Sequence, residues 1–574
     1  MADATTDGWD RTVDLLVLGT GASGLSAAVT AASGGLDVLV LETTEYLGGT
    51  TAYSAGTAWI PGNHPPESDE DRATAQRYLD ELVGDRAPRI LRETYLARGP
   101  ETLEFYRRLG LRFLHSASVV DYHPERPGAG VGRAWEPEPF DGRRLGREKF
   151  RRVRPPVPEF ALFGGTLMVR RVEVTRLLDL FRGSPGAAAL ALRLGARWAR
   201  DRLTWPRGTR LTMGNALVAH LYHLLTRAGG RVAFSATTTE LIASRGTVTG
   251  AIVGIGGRDL RIRARHGVVL AGGGFPAGEQ WRRRHLPTPT AHATRAADGS
   301  TGSTLELGLA VGGVLGPDHE DNALWFPASL GRRRDGSRVV FPHIWDRAKP
   351  GIVAVAESGR RFVDESVSYH RFVRAMYAAT AAGETAIPAW LILDSATLRA
   401  HGLGMIRPHT PGPALRRYVR DGYIRRARTL TALAEQIGVD SGGLHDTVVR
   451  ANRSAITGID VEFGKGTSPF GRQYGDPRHG PNPNLGPIAT PPFYALPVVP
   501  TPLATARGLR TDADARVHDG HGQPVPGLYA VGNDADSPMA AEYPGAGCQV
   551  GAGLIFGHLA GLDAARGAAA TTEG

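Results

Sequence analysis

One short pattern near the start of the chain fixes its fold class. Residues 13–18 form an apolar run of the kind buried on both faces of a parallel sheet. They lead directly into Gly19-Thr20-Gly21-Ala22-Ser23-Gly24. A small-residue helix over 25–33 follows, then a Gly34-Gly35 stop, then a second apolar run, 38–41, ending on Glu42. Alone, Gly-x-Gly-x-x-Gly is a glycine-rich turn. Between a strand and a helix, with an acid closing the next strand, it marks dinucleotide binding. Gly19 permits the turn, Gly21 lets backbone approach a pyrophosphate, and Gly24 lets the helix lie close to the strand. The helix N-terminus favours the negative charge. Glu42 is suited to accept hydrogen bonds from ribose hydroxyls. The expected class is α/β, with a Rossmann-like domain on a parallel sheet.

The 574 residues are enough for two to four domains. Texture changes at 316–488, where mixed strands and helices carry loops rich in Pro, His and Asn. The expected organisation is a dinucleotide domain over 1–315, an inserted α+β substrate and catalytic domain over 316–488, and a return to the first domain over 489–574. The single cysteine, Cys548, excludes an internal disulfide framework and a multi-cysteine metal site, and no metal is expected. At a helix start, its thiol is a candidate for a lowered pKa. Residues 1–11 are polar and acidic, with no secretory signal, and no run of ~20 apolar residues exists, so the expected location is the cytoplasm. The net charge is +10, yet only Lys149, Lys349 and Lys465 among the 67 basic residues are lysine. This bias reads as compositional background, and no nucleic-acid partner is expected. Residues 186–202 interleave Arg193, Arg197, Arg200 and Arg202 with Ala and Leu. A solvated helix face is the first reading and peripheral membrane contact the second.

Past Glu42 comes a second small-residue loop, Leu47-Gly48-Gly49-Thr50-Thr51-Ala52-Tyr53-Ser54-Ala55-Gly56, and near the C-terminus stands Gly532-Asn533. With Ala271-Gly272-Gly273-Gly274-Phe275 and Asp298-Gly299-Ser300-Thr301-Gly302, these segments resemble the fumarate reductase/succinate dehydrogenase flavoprotein superfamily over nearly the whole chain. The resemblance implies FAD, held by Gly19, Gly21, Ala22, Ser23, Gly24, Glu42, Gly48, Gly49, Thr50, Thr51, Ser54, Ala55, Gly56, Gly272, Gly273, Asp298, Gly532, Asn533, Gln549 and Val550. The loop at 48–57 has no histidine, so attachment is expected to be non-covalent.

The C-terminal loop Glu542-Tyr543-Pro544-Gly545-Ala546-Gly547 offers a phenol and an amide and no cation, which suits a neutral carbonyl better than a dicarboxylate. With 49–63, Asp121-Tyr122-His123-Pro124-Glu125 and Gly359-Arg360-Arg361-Phe362-Val363-Asp364-Glu365 before Tyr369, it resembles the 3-ketosteroid Δ1-dehydrogenase family. That resemblance implies Tyr543 and Gly547 as donors to a ketone oxygen, Tyr369 as the base and Tyr122 as its hydrogen-bond partner. Arg360 and Arg361 also read as structural partners of Asp364 and Glu365. Trp59 and Phe326 read equally as cleft or as core. Three functions stand open: desaturation of a 3-ketosteroid, dehydrogenation or ene-reduction of a smaller cyclic ketone, and a catalytically idle flavin- or membrane-binding protein. The electron acceptor is not legible.

Overall fold

The computed structural model of the chain describes residues 8–63 and 68–572. Residues 1–7, which open the polar stretch discussed above, lie outside the described residues. In chain order, β1 (Leu15–Leu18), α1 (Ala22–Ser33) and β2 (Val38–Glu42) form the expected β-α-β unit. The Arg-rich stretch supplies α2 (Arg171–Leu178) and α3 (Pro185–Arg202), and β3 (Arg231–Phe234) and β4 (Val268–Leu270) return to the first domain. Then come β5 (Ala323–Arg332), β6 (Arg338–Pro342), β7 (Ile352–Val355), α4 (Tyr369–Ala381), β8 (Ala389–Asp394) and β9 (Phe493–Thr505). The chain closes with β10 (Arg516–His518), β11 (Pro524–Ala530) and α5 (Cys548–Thr572).

The first sheet has the order β10-β11-β4-β1-β2-β3 and is parallel apart from the β10 edge. Every side chain of β1 and β2 is buried, which explains why both read as unbroken apolar runs rather than alternating ones. The second sheet is antiparallel, in the order β6-β5-β9-β8-β7. Its middle strand, β9, starts beyond residue 488, so this sheet reaches past the boundary expected from composition. Pro497, Pro500 and Pro502 disguise that strand. A proline removes a ladder donor and is normally confined to positions lacking a partner on one side. β9 meets this condition by changing partners halfway: residues 493–498 pair with β8 and residues 499–505 with β5. At its end, the Thr505 hydroxyl accepts the Phe275 N–H (3.4 Å), so the second sheet is anchored beside β4.

Helices from near the two ends of the chain meet where α1 crosses α5. Glycines make the close approach: a Cβ on Gly557 would lie 2.4 Å from the Ser23 carbonyl oxygen, and one on Gly561 2.6 Å from that of Ala27. The closeness admits polar links, from the Ser26 hydroxyl to the Leu554 carbonyl (2.6 Å) and between Thr30 Oγ1 and His558 Nδ1 (2.8 Å). Among the described residues, no helix is long and apolar enough to cross a membrane, and no His/Cys/Asp/Glu group is arranged to hold a metal.

Replacing Gly557 by Val should separate the two helices and destabilise the fold by about 1–3 kcal/mol. A lower thermal midpoint checks this, and an unchanged midpoint would show that the crossing can relax freely.

Candidate active site

The dinucleotide cradle is built where β1 meets α1. Gly19 has φ +116°, and a Cβ there would lie 2.2 Å from the Ala271 carbonyl oxygen, so only glycine fits. Gly24 packs on the turn itself: its Cβ would meet the Gly19 carbonyl oxygen at 2.2 Å. Gly21 differs, because nothing lies within 3.8 Å of its Cβ position. Gly49 faces it across the same opening, with the Gly21 Cα as its nearest neighbour, also at 3.8 Å. The two glycines therefore border an open slot at the start of α1, where phosphate binds best.

The walls are tied together by hydroxyls. Thr51 Oγ1 accepts the Ala22 N–H (3.0 Å), Thr20 Oγ1 accepts the Gly48 N–H (2.9 Å), and Thr50 Oγ1 accepts the Ala297 N–H (2.9 Å). Ser54 caps the loop end, accepting from Gly56 N–H at 2.9 Å. Glu42 is buried at the end of β2 and accepts from the Thr20 hydroxyl and from the Thr44 N–H (3.0 Å) and hydroxyl (2.8 Å). An open glycine slot at a helix start, with a buried carboxylate at the end of the next strand, fits a dinucleotide such as FAD. Ala55 and Asp298 are exposed, whereas Gln549 and Val550 are half-buried in the first turn of α5.

One residue of this region escaped the sequence reading. Asp534 is fully buried, and its carboxylate accepts the Gly272 N–H (2.6 Å) and the Gly274 N–H (2.7 Å). Its neighbour Asn533 makes only a 3.4 Å contact, donating to the Gly273 carbonyl. The amides of the 272–274 loop thus serve to lock β4 to the C-terminal segment. Gly532 completes the lock: with φ +66°, it leaves room for Ser23, whose hydroxyl a Cβ would meet at 2.5 Å. An acid two residues beyond a strand-Gly exit was the available signal.

Tyr122, Tyr369 and Tyr543 come together from three distant segments. The Tyr122 and Tyr369 hydroxyls are 2.9 Å apart. The Tyr543 ring stacks on Tyr122 (5.1 Å, 25°) and meets Tyr369 edge-on (5.3 Å, 89°). All three are buried, and burial pushes each phenol above its ordinary value of ~10. Tyr369 opens α4, where the Ser368 hydroxyl caps the helix by accepting the Arg371 N–H (3.4 Å). Gly547 has φ +94°, and a Cβ there would strike the Thr57 carbonyl oxygen at 2.2 Å. Its own N–H has no acceptor among the described residues.

Each tyrosine has its own anchor. Tyr122 donates its N–H to the Pro544 carbonyl (2.9 Å), and the preceding Asp121 accepts from Trp59 Nε1 (2.7 Å), Arg133 (2.7 Å) and the Gly130 N–H (2.9 Å). Trp59 is therefore core, while Phe326 touches Tyr369 (4.3 Å between rings). Glu542 accepts from Arg374 of α4 and from Arg86, each at 2.9 Å, and Arg374 also donates to the Ala541 carbonyl and to Asp321. This holds the Tyr543 loop against the helix that carries Tyr369. Buried Arg347 donates to the carbonyls of His343 (2.9 Å), Glu365 (2.7 Å) and Val367 (3.2 Å), fixing the approach to Tyr369. Arg361 pairs with Glu365 and also with Asp460, while Asp364 accepts from Ser366 instead. Glu365 is held down at about 2, against its burial, by Arg361 and Lys465. Cys548 corrects an expectation: burial pushes its thiol up to about 12, so the helix start does not activate it.

An α/β fold with a phosphate cradle of this kind and a buried acid closing the second strand defines a dinucleotide-binding protein. The chain belongs to the FAD binding domain family, which it matches over residues 14–550, and it is an FAD-dependent oxidoreductase. It is 36% identical to the 4-oxocyclohex-2-ene-1-carboxylate 5-dehydrogenase of Sinomonas cyclohexanicum, over 98% of this chain and 95% of that one. It is equally 36% identical to the 3-oxosteroid 1-dehydrogenase of Mycolicibacterium smegmatis, over 98% of both. Among solved structures it is similar to the 3-ketosteroid Δ1-dehydrogenase of Sterolibacterium denitrificans in complex with 1,4-androstadiene-3,17-dione. That likeness has a TM-score of 0.90 and 33% identity, covering 97% of this chain and 100% of that one.

Replacing Asp534 by Ala leaves two amides without their acceptor, which should destabilise the fold by about 1–3 kcal/mol for each buried donor. The expected readout is a lower thermal midpoint with a reduced ratio of flavin to protein absorbance in the purified variant.

Proposed function

We propose that this chain desaturates a cyclic ketone next to its carbonyl, acting as a 3-oxosteroid 1-dehydrogenase. The observation that carries the reading is the 2.9 Å pair of Tyr122 and Tyr369 hydroxyls beside Tyr543 and the unengaged Gly547 amide. The Tyr543 hydroxyl and the Gly547 N–H donate to the ketone oxygen, and two fixed donors on that oxygen make the adjacent C–H acidic. Tyr369, as phenolate, takes the α-proton. Bound FAD supplies the acceptor for the hydride leaving the β-carbon. The product gains one C=C bond as the proton and hydride depart. The dipole of α4 favours the phenolate, against burial and the neighbouring Tyr122 and Tyr543 hydroxyls, which disfavour it.

The likeness to the Sterolibacterium denitrificans enzyme with its bound steroid, over the full length of both chains, supports the steroid as substrate. The equal identity to the 4-oxocyclohex-2-ene-1-carboxylate enzyme supports a single-ring keto acid as the second reading. Flavin bleaching by 4-androstene-3,17-dione, with turnover in the presence of an artificial electron acceptor, tests the first. Bleaching by 4-oxocyclohexanecarboxylate alone would favour the second. A peripheral membrane contact has its own support: Leu192 of α3 and Leu203 just beyond it are 74% and 82% exposed beside Arg193 and Arg200. Co-sedimentation with anionic vesicles, lost when Leu192 and Leu203 are made Ser, is the expected result.

Tyr543→Phe should lower kcat about 10²–10³-fold while FAD stays bound, as for loss of one oxyanion donor. Wild-type turnover would remove Tyr543 from this role. Because burial raises the Tyr369 phenol, its phenolate fraction grows with pH, and kcat/KM should climb from neutral into alkaline pH. In Tyr122→Phe, which removes a hydroxyl that raises the Tyr369 phenol, the climb should move to lower pH, as measured by pH-rate profiles.

A further inference from the structure

We propose that Arg171, at the outer end of a ring series that starts at Tyr122, is a carboxylate-recognition point, so that the preferred ketone bears an anionic group several ring-lengths from its carbonyl. This rests on the 3-oxosteroid reading above and goes on to define the substrate class.

Arg171 opens α2, and its guanidinium lies over two aromatic faces, 5.3 Å from the Tyr474 ring and 5.8 Å from the Trp345 ring. Among the described residues no carboxylate or carbonyl accepts from it. Neighbouring cations are engaged: Arg170 with Glu136 (3.6 Å) and Arg210 with Glu173 (2.7 Å). A guanidinium stacked on rings keeps its N–H fork free, and that fork matches a carboxylate.

One ring under Arg171 leads inward to the tyrosine pair, and the other sits on a turn fixed near it. Tyr474 meets Phe470 (5.2 Å), and Phe470 meets Tyr122 (5.0 Å). Trp345 sits on the turn that Arg347 ties, through the Glu365 and Val367 carbonyls, to the approach of Tyr369. The turn is rigid. Buried His343 bonds Asp346 through Nδ1 (2.7 Å) and Ser329 through Nε2 (2.8 Å), and Ser329 bonds the Tyr423 hydroxyl (2.7 Å). Its neighbour Ile344 packs on the core that contains the tyrosines. Trp345, despite its size, remains 36% exposed. The ring series from Tyr122 and the turn tied to the segment before Tyr369 thus meet beneath the same unengaged cation.

The separation selects among ketones. Three successive ring contacts lie between Arg171 and Tyr122. A single-ring keto acid holds its carboxylate within one ring of the carbonyl and falls short. A fused-ring 3-ketone with an acid on its far side chain spans the interval.

The test compares a 3-oxosteroid bearing a side-chain carboxylate with its methyl ester, in buffer free of lipid and detergent. The readout is the ratio of kcat/KM for acid over ester. The wild-type protein should favour the acid, with the preference shrinking at high salt. In Arg171→Gln the ratio should fall at least about tenfold, mainly through the KM of the acid. Arg171→Lys should keep part of it. A ratio taken within one preparation is insensitive to the fraction folded. An unmoved ratio, or equal use of acid and ester by the wild type, overturns the proposal while leaving the desaturase reading intact. Loss of anionic-vesicle binding in Arg171→Gln with an unmoved ratio would assign the cation to lipid headgroups and overturns it too. If neither steroid is turned over, the 3-oxosteroid reading fails and this proposal falls with it.

Discussion

The structure depends on how closely two helices from opposite ends of the chain approach each other. α1 begins at the phosphate slot, and α5 begins at the loop that carries Tyr543 and Gly547. Gly557 and Gly561 let them meet with backbone nearly touching backbone. Residues with side chains at these positions would push the C-terminal loop away from the cradle. That distance sets how near Gly547 and the Tyr543 loop lie to the glycine slot at Gly21. Close packing of small residues leaves little slack, so the geometry is set by contact and not by any long tether.

A second device secures the same junction electrostatically. Asp534 gathers two amides of the 272–274 loop, while Glu542 gathers two guanidinium groups, one from the helix that bears Tyr369. Both acids are buried, and each stands where the C-terminal segment meets a different partner. The 272–274 loop and the helix that bears Tyr369 are thereby referred to one stretch of chain, 532–547. The three tyrosines, which lie hundreds of residues apart in sequence, can then share one small volume.

How much of this was legible follows from how local each signal is. The cradle was readable because Gly19, Gly21 and Gly24 act within a few residues of one another, and each glycine answers to a separate clash or opening. The tyrosines were readable through the resemblance, since a buried phenol by itself looks like any packed ring. Asp534, Arg374 and Arg347 were not readable, because their partners are set by tertiary folding alone. The start of the middle strand was hidden for a different reason. Pro497, Pro500 and Pro502 argue against a central strand, and only a strand that changes partners halfway accommodates them. The thiol of Cys548 shows the limit of a rule applied without burial: a helix start favours the thiolate, but desolvation outweighs it.

β9 also has a mechanical meaning. Thr501, in its second half, accepts no slack: its hydroxyl donates to the carbonyl of Phe326, the residue whose ring abuts Tyr369. Four residues on, Thr505 bonds the amide of Phe275, next to the loop that Asp534 locks. An extended strand can neither stretch nor shorten appreciably. It acts as a rod between the ring that abuts Tyr369 and the loop that Asp534 locks. Pressure on one end is delivered to the other, so a displacement of the Phe326 ring is felt at the backbone of Phe275.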